Sequence, residues 1–156
     1  MSRRLLPVLR RILGFLTPPR HGPVKSFEQE VERAGIQSRV ERGMHTIPTA
    51  KVVGSVGRAQ NLRSDFFYRT GPAMTARFKR IGRAMQEGKV LPPIEVYKAR
   101  LTRPDPRGAG GPVERTEYYV VDGHHRVAMA KNLGQDYLDA HVVEYKVAPD
   151  PPGAAR

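Results

Sequence analysis

The stretch from Tyr118 to Val143 constrains the fold more than any other. Tyr118-Tyr119-Val120-Val121 is an apolar run that reads as a strand. Asp122-Gly123 follows as a tight turn. Val127, Ala128, Met129 and Ala130 then carry a helix over His124 to Leu133, which stops at Gly134. A last strand is expected from Tyr137 to Val143. A strand, a turn, a helix and a strand in so short a space commit this part of the chain to mixed architecture.

The rest of the sequence continues the pattern. Thr46 to Val53 reads as a strand ending at Gly54, and Gly54-Ser55-Val56-Gly57-Arg58 is a small-residue loop ending in an arginine. Pro72 to Gln86 is the clearest helix, with Met74, Phe78, Ile81 and Met85 as its buried stripe and Gly88 as its C-cap. Pro93 to Lys98 reads as a strand, and Thr102 to Pro112 is punctuated by Pro and Gly as a loop. Helices interleaved with short strands place the chain in the α+β or α/β class. Ser26-Phe27-Glu28-Gln29 is a capping-box pattern for a short helix over Phe27 to Ala34. The expected organisation is a basic amphipathic extension and linker over 1–25, a helical lead-in over 26–44, one compact domain over 45–146, and a disordered Pro/Gly/Ala-rich tail over 147–156.

The chain has 156 residues and no Cys, which excludes disulfides, thiol catalysis and Cys-ligated zinc or iron–sulfur sites. Its 27 Lys and Arg against 15 Asp and Glu give a net charge of +12, so polyanions are the default partners. The charge sits in two places. Residues 1–25 hold six basic residues and no acid, with Leu5, Leu6, Leu9, Ile12, Leu13 and Leu16 at helical spacing. Such a helix can lie on a membrane surface, dock on a protein partner or pack on its own domain. The second group runs from Arg58 to Lys89, eight basic residues against Asp65 and Glu87. Phe66, Phe67 and Tyr68 interrupt it, and basic residues with interleaved aromatics suit phosphate contact and base stacking. Arg77, Arg80 and Arg83 are its candidate nucleic-acid contacts, to DNA without sequence preference. The alternative is a solvated face with the aromatics in the core.

Asp122-Gly123-His124-His125-Arg126 is the strongest local signal. Gly123 lets the backbone approach a ligand closely. The following helix aims its free N–H groups and positive end at the turn, which suits an anion. Arg126 adds a fork of donors matched to phosphate oxygens. His124 and His125 can donate to phosphate, shuttle protons or bind a metal, and Asp122 can hold magnesium or orient a histidine. The plain alternative is a capping Asp and two surface histidines. Zinc is not expected, since adjacent histidines project in different directions and no Cys completes a ligand set.

Gly123-His124-His125-Arg126, followed by Ala130, Lys131 and Gly134, resembles the Gly-Glu-Arg-Arg helix of the ParB N-terminal domain, in the ParB/sulfiredoxin superfamily. Ile47 to Val53 with the loop to Arg58 resembles that family's opening strand. Gly88-Lys89-Val90-Leu91-Pro92-Pro93-Ile94-Glu95-Val96 resembles its Gly…Pro-Ile-x-Val strand, with one extra residue. The resemblance covers roughly residues 45–145. It implies a single compact α+β domain that binds CTP or ATP with magnesium. Gly123, His124, His125 and Arg126 would hold phosphate, with Ser55, Gly57 and Arg58 on the facing loop. A cytoplasmic protein is expected, and a homodimer is open.

The departures shape the functional expectation. Sulfiredoxin needs a catalytic Cys where His124 stands, so sulfinic-acid reduction is excluded. The Asp-Gly-His-His-Arg form resembles that of free serine kinases, whose base is a Glu of the loop after the first strand. Residues 54–64 contain no acid. A phosphotransferase using Asp122 and His124 as catalytic groups therefore stands second to nucleotide binding. A metal-dependent nuclease with Asp122 on the metal stands third, since that motif holds one carboxylate. No helix-turn-helix reader follows Tyr145, so operator binding of the ParB kind is not expected.

Overall fold

The computed structural model describes residues 23–71, 75–105, 107–108 and 110–149. The basic N-terminal extension, apart from its last three residues, lies outside them. In chain order the strands and helices are β1 (Lys25–Ser26), β2 (Ile36–Pro48), β3 (Val52–Ser55), α1 (Ala76–Gln86), β4 (Ile94–Arg103), β5 (Val113–Asp122), α2 (His124–Leu133) and β6 (Tyr137–Val147). A π-type turn at Glu28–Glu32 and 3-10 turns at Thr49–Lys51 and Ala59–Asn61 join them. The six strands form one sheet in the order β1-β3-β5-β4-β6-β2. It is mixed: β4–β5 and β2–β6 are antiparallel, while β1–β3, β3–β5 and β4–β6 are parallel. No helix among the described residues is long and apolar enough to cross a membrane.

Both helices pack against one face of this sheet. Their shared core holds Ile47, Val52, Leu62, Phe66, Phe67, Phe78, Ile94, Val96, Val120, Val127 and Val142. Each large side chain buried there contributes about 1.5–3 kcal/mol relative to exposure. Phe67 and Phe78 stack with ring centroids 4.7 Å apart, which docks the 59–70 loop onto α1. Gly82 lets α1 and α2 approach closely: a Cβ there would lie 3.0 Å from Met129 Sδ. The opposite face carries an aromatic cluster, Phe27 ringed edge-on by Tyr97, Tyr119 and Tyr145 at 5.1–5.5 Å.

Several elements differ from the sequence expectation. The lead-in is helical only at Glu28–Glu32, and Ile36 to Met44 belong to strand β2 instead. Residues 36–46 are exposed along this sheet edge, so no buried apolar alternation marks the strand, and its pairing comes from distant β6. The single strand expected over Thr46 to Val53 is broken by the turn at Thr49–Lys51, directly after Pro48, which has no N–H to offer a ladder. Helix α1 starts at Ala76, where Thr75 Oγ1 accepts from the Phe78 N–H at 3.3 Å. Pro72, Ala73 and Met74 of the expected helix lie outside the described residues. Phe78, Ile81 and Met85 do form its inward stripe.

Strands β4 and β5 pair out to Arg103 and Val113, so the loop between them is shorter than the Thr102 to Pro112 expected. Charged residues cover that outer part of the ladder and hide it from a hydrophobicity reading. Val147, assigned to the tail, is 2% exposed within the aromatic cluster. Beyond it, the Ala148 N–H donates to the Gly35 carbonyl at 2.9 Å. Asp150 to Arg156 lie outside the described residues.

Candidate functional site

Strand β5 delivers Asp122 to the end of the sheet, and the chain turns at Gly123 into α2. Gly123 has φ +101°, and a Cβ there would stand 2.5 Å from Ile94 Cγ2. Only glycine satisfies both the left-handed backbone and the contact with β4. The N-cap residue, Gly123, has no side chain to cap α2. The first turn therefore keeps the N–H groups and positive dipole end that an anion would use.

The five motif residues point to different places. His124 is 2% exposed, and its Nε2 lies 2.8 Å from the Ser55 hydroxyl. Burial first, then the charge of Arg58, pushes its pKa down to about 4, with Asp122 pulling the other way. His124 is therefore neutral at pH 7. Ser55 is itself fully buried at the end of β3. These two residues, both expected at the phosphate, face each other inside the protein and lock β3 to the start of α2.

Arg126 is also engaged. Its Nη1 donates to the carbonyls of Pro92 and Pro93, the latter at 2.9 Å, and its Nη2 lies 3.5 Å from Asp122 Oδ2. It borders a cleft of about 270 Å³ lined by Met85, Leu91, Pro92, Ile94 and Leu138. The guanidinium expected to fork a phosphate instead holds the Pro92-Pro93 segment against the helix start. The Asp122 side chain is 72% exposed at the mouth of the turn.

What does gather at the helix start is the His125 ring with Tyr68 and Phe78, on segments that carry Arg58 and Arg77. The His125 ring lies 4.6 Å from Phe78 and 5.5 Å from Tyr68. Its pKa is lowered by partial burial, by Arg77 on α1 and by Arg58, with Asp122 opposing. Arg58 is exposed, and its Nη1 donates to the Tyr68 hydroxyl at 3.0 Å. Gly57, at φ +70°, donates its N–H to Glu28 Oε1 at 2.7 Å, and the Ser26 hydroxyl donates to the other carboxylate oxygen at 2.6 Å. Burial would raise the Glu28 pKa, but the Ser26, Glu28 and Gly57 donors outweigh it and lower the value.

Sequence reasoning thus placed Gly123, His125 and Arg58 around one turn and missed three participants. Arg77 was assigned to a separate nucleic-acid face, yet it directly precedes Phe78, which packs on His125. Tyr68 was read with the aromatics of the loop, and it orients Arg58. Glu28 was read as part of a helix start, and it ties down the Gly57 loop. Among the described residues no three His, Asp or Glu side chains come together as a metal-binding group. The arrangement offers positive charge and N–H donors to an anion, while its buried histidine is held away from proton exchange.

No family model matches the chain. No curated protein matches it either. Among solved structures it is similar to sulfiredoxin from Arabidopsis thaliana, at a TM-score of 0.41 and 14% identity over 67% of this chain and 89% of that one.

Proposed function

We propose that this chain binds a nucleoside triphosphate, with its phosphates at the start of α2. The observation that carries the reading is that Tyr68 and Phe78 hold their rings 5.5 and 4.6 Å from His125, with Arg58 hydrogen-bonded to Tyr68 and Arg77 preceding Phe78 on α1, beside a helix start whose N-cap residue is glycine. Two exposed guanidinium groups on the segments that flank an imidazole offer like charge that an anion would offset. The first-turn N–H groups of α2 supply directional donors, and Arg58 and Arg77 supply charge. The resemblance to the ParB helix motif points to the same end of the same helix. Asp122, exposed at the mouth, would meet a magnesium ion carried in by the triphosphate. In this reading Arg126, His124 and Ser55 shape the turn, and His125, Arg58 and Arg77 touch the ligand.

Isothermal titration with CTP, ATP, GTP and UTP in magnesium tests it. One triphosphate is expected to bind the wild-type chain. Arg58→Ala with Arg77→Ala is expected to abolish binding while leaving the melting temperature within a few degrees, since both side chains are exposed. No binding by any of the four nucleotides, or binding that survives the double substitution, overturns the reading.

A further inference from the structure

Helix α1 carries Arg77, Lys79, Arg80 and Arg83, all exposed, and no acidic residue. None of the four forms a salt bridge among the described residues. This arrangement is unfavourable for the helix alone. Arg77 and Arg80, Arg80 and Arg83, and Lys79 and Arg83 are like-charged neighbours three or four positions apart, each pair destabilising by a few tenths of a kcal/mol. Arg77 also sits in the first turn, where the helix dipole disfavours a cation. An external polyanion would relieve all of these repulsions at once.

Arg77 belongs to both features of this surface. It is the first cation of the α1 row, and it precedes Phe78, whose ring lies 4.6 Å from His125 at the start of α2. The basic row therefore begins beside the start of α2. From Arg77 to Arg83 the row advances about 9 Å along the helix axis, at 1.5 Å per residue.

We propose that the phosphate taken up at the α2 start is the 5′-terminal phosphate of a single-stranded nucleic acid, with the next phosphates of the strand lying along Arg80 and Arg83. This rests on the phosphate site proposed above and names a larger ligand for it. The terminal phosphate carries the higher charge and meets the convergent donors of Arg58, Arg77 and the helix N–H groups. Internal phosphates carry one charge each and meet single exposed guanidinium groups. Contacts of this kind go to the backbone, so base sequence is not read.

Fluorescence anisotropy with an eight-nucleotide single-stranded DNA, bearing a 5′-phosphate or a 5′-hydroxyl, tests the proposal on the full chain. The phosphorylated strand is expected to bind about tenfold more tightly than the hydroxyl strand or a nucleoside monophosphate. Arg80→Ala with Arg83→Ala is expected to weaken strand binding and to reduce the slope of log K against log salt by about 1.4, at about 0.7 per phosphate. The same double substitution should leave nucleoside triphosphate affinity unchanged. Equal affinity for the two strand ends, an unchanged salt slope, or displacement by polyglutamate at equal charge concentration overturns the proposal. Triphosphate binding without any preference for the strand removes only this inference. If neither triphosphates nor the strand bind the wild-type chain, the site itself falls as well.

Discussion

The hydroxyl of Ser55 and Nε2 of His124 stand 2.8 Å apart inside the protein, although 69 positions separate them in the chain. The Val120 carbonyl lies near the same ring and favours a proton on it. A neutral imidazole can then donate from Nδ1 to that carbonyl and accept the Ser55 proton at Nε2. This fixes the first residue of α2 against the ends of β3 and β5. It orients the helix whose open end forms the candidate site, while His124 itself stays out of reach of a ligand.

That burial makes stability depend on pH in a defined window. The folded pKa of His124 is about 4, below the ordinary histidine value of 6.5. Between those values the unfolded chain binds a proton that the folded chain does not, so acid favours unfolding. The contribution is fully present above pH 6.5 and is lost as pH falls to about 4. A shift of this size corresponds to about 3 kcal/mol. Urea unfolding at pH 7, 5.5 and 4 should show the decline, and His124→Gln, which cannot titrate, should flatten it. An equal decline in that variant would assign the acid sensitivity to other groups.

Glycines at the turn should differ sharply in their tolerance of alanine. Gly123→Ala combines a left-handed φ of +101° with a Cβ 2.5 Å from Ile94 Cγ2. Gly57→Ala has φ +70° but nothing within 4 Å of the new methyl. The first should cost about 2–4 kcal/mol, from strain plus displacement of a packed core residue, and the second about 1–2 kcal/mol from strain alone. Thermal melts of the two variants measure the difference. Equal losses would mean that the turn at Gly123 relaxes away from β4 without cost.

These positions also mark what the sequence could and could not disclose. Gly123 and Gly134, with the apolar run between them, announced a strand, a turn and a helix at Asp122 to Leu133, because local backbone demands and local hydrophobicity agree there. Strand β2 gave no such signal. Its residues from Ile36 to Thr46 are exposed, and their partner strand is about a hundred positions away. The site was half legible for the same reason. A motif names the residues at a turn, but it does not say which way each side chain faces. Arg126 was read as a phosphate fork, and Pro92 and Pro93 take its hydrogen bonds instead. Arg77 is brought toward His125 by the packing of its neighbour Phe78 on that ring, which no local pattern encodes.

The outer sheet depends on one carboxylate. Glu144 is buried and accepts from Lys98 at 2.7 Å and Arg42 at 2.9 Å, with Arg100 at 3.9 Å. The hydrogen bonds from Lys98 and Arg42 hold its pKa at about 2, below the usual 4.5. Its stabilisation is therefore present above pH 4.5 and is lost as pH falls through about 2. Glu144→Gln keeps the shape and leaves three cations facing one another, at an expected cost of about 1–3 kcal/mol at pH 7. The difference from wild type should narrow in 1 M salt, because the cations are partly exposed. Chemical denaturation of both chains at low and high salt checks this, and a cost unchanged by salt and by acid would make the effect one of packing.

The electrostatics of His125 can be tested without any ligand. Its pKa is lowered by partial burial, then by Arg77 and Arg58, and Asp122 works in the opposite direction. Arg77→Ala should therefore raise the His125 pKa, and Asp122→Asn should lower it further. Imidazole resonances followed by NMR across pH 4 to 8 would report both shifts. The lowered value favours the uncharged ring. A bound phosphate would favour its protonated form, so binding should tighten as pH falls and bring the His125 pKa up. A His125 value indifferent to Arg77 would remove the convergence on which the phosphate site is built. A value that responds to Arg77 and Asp122 but not to triphosphate would leave the charge cluster intact and place the ligand elsewhere.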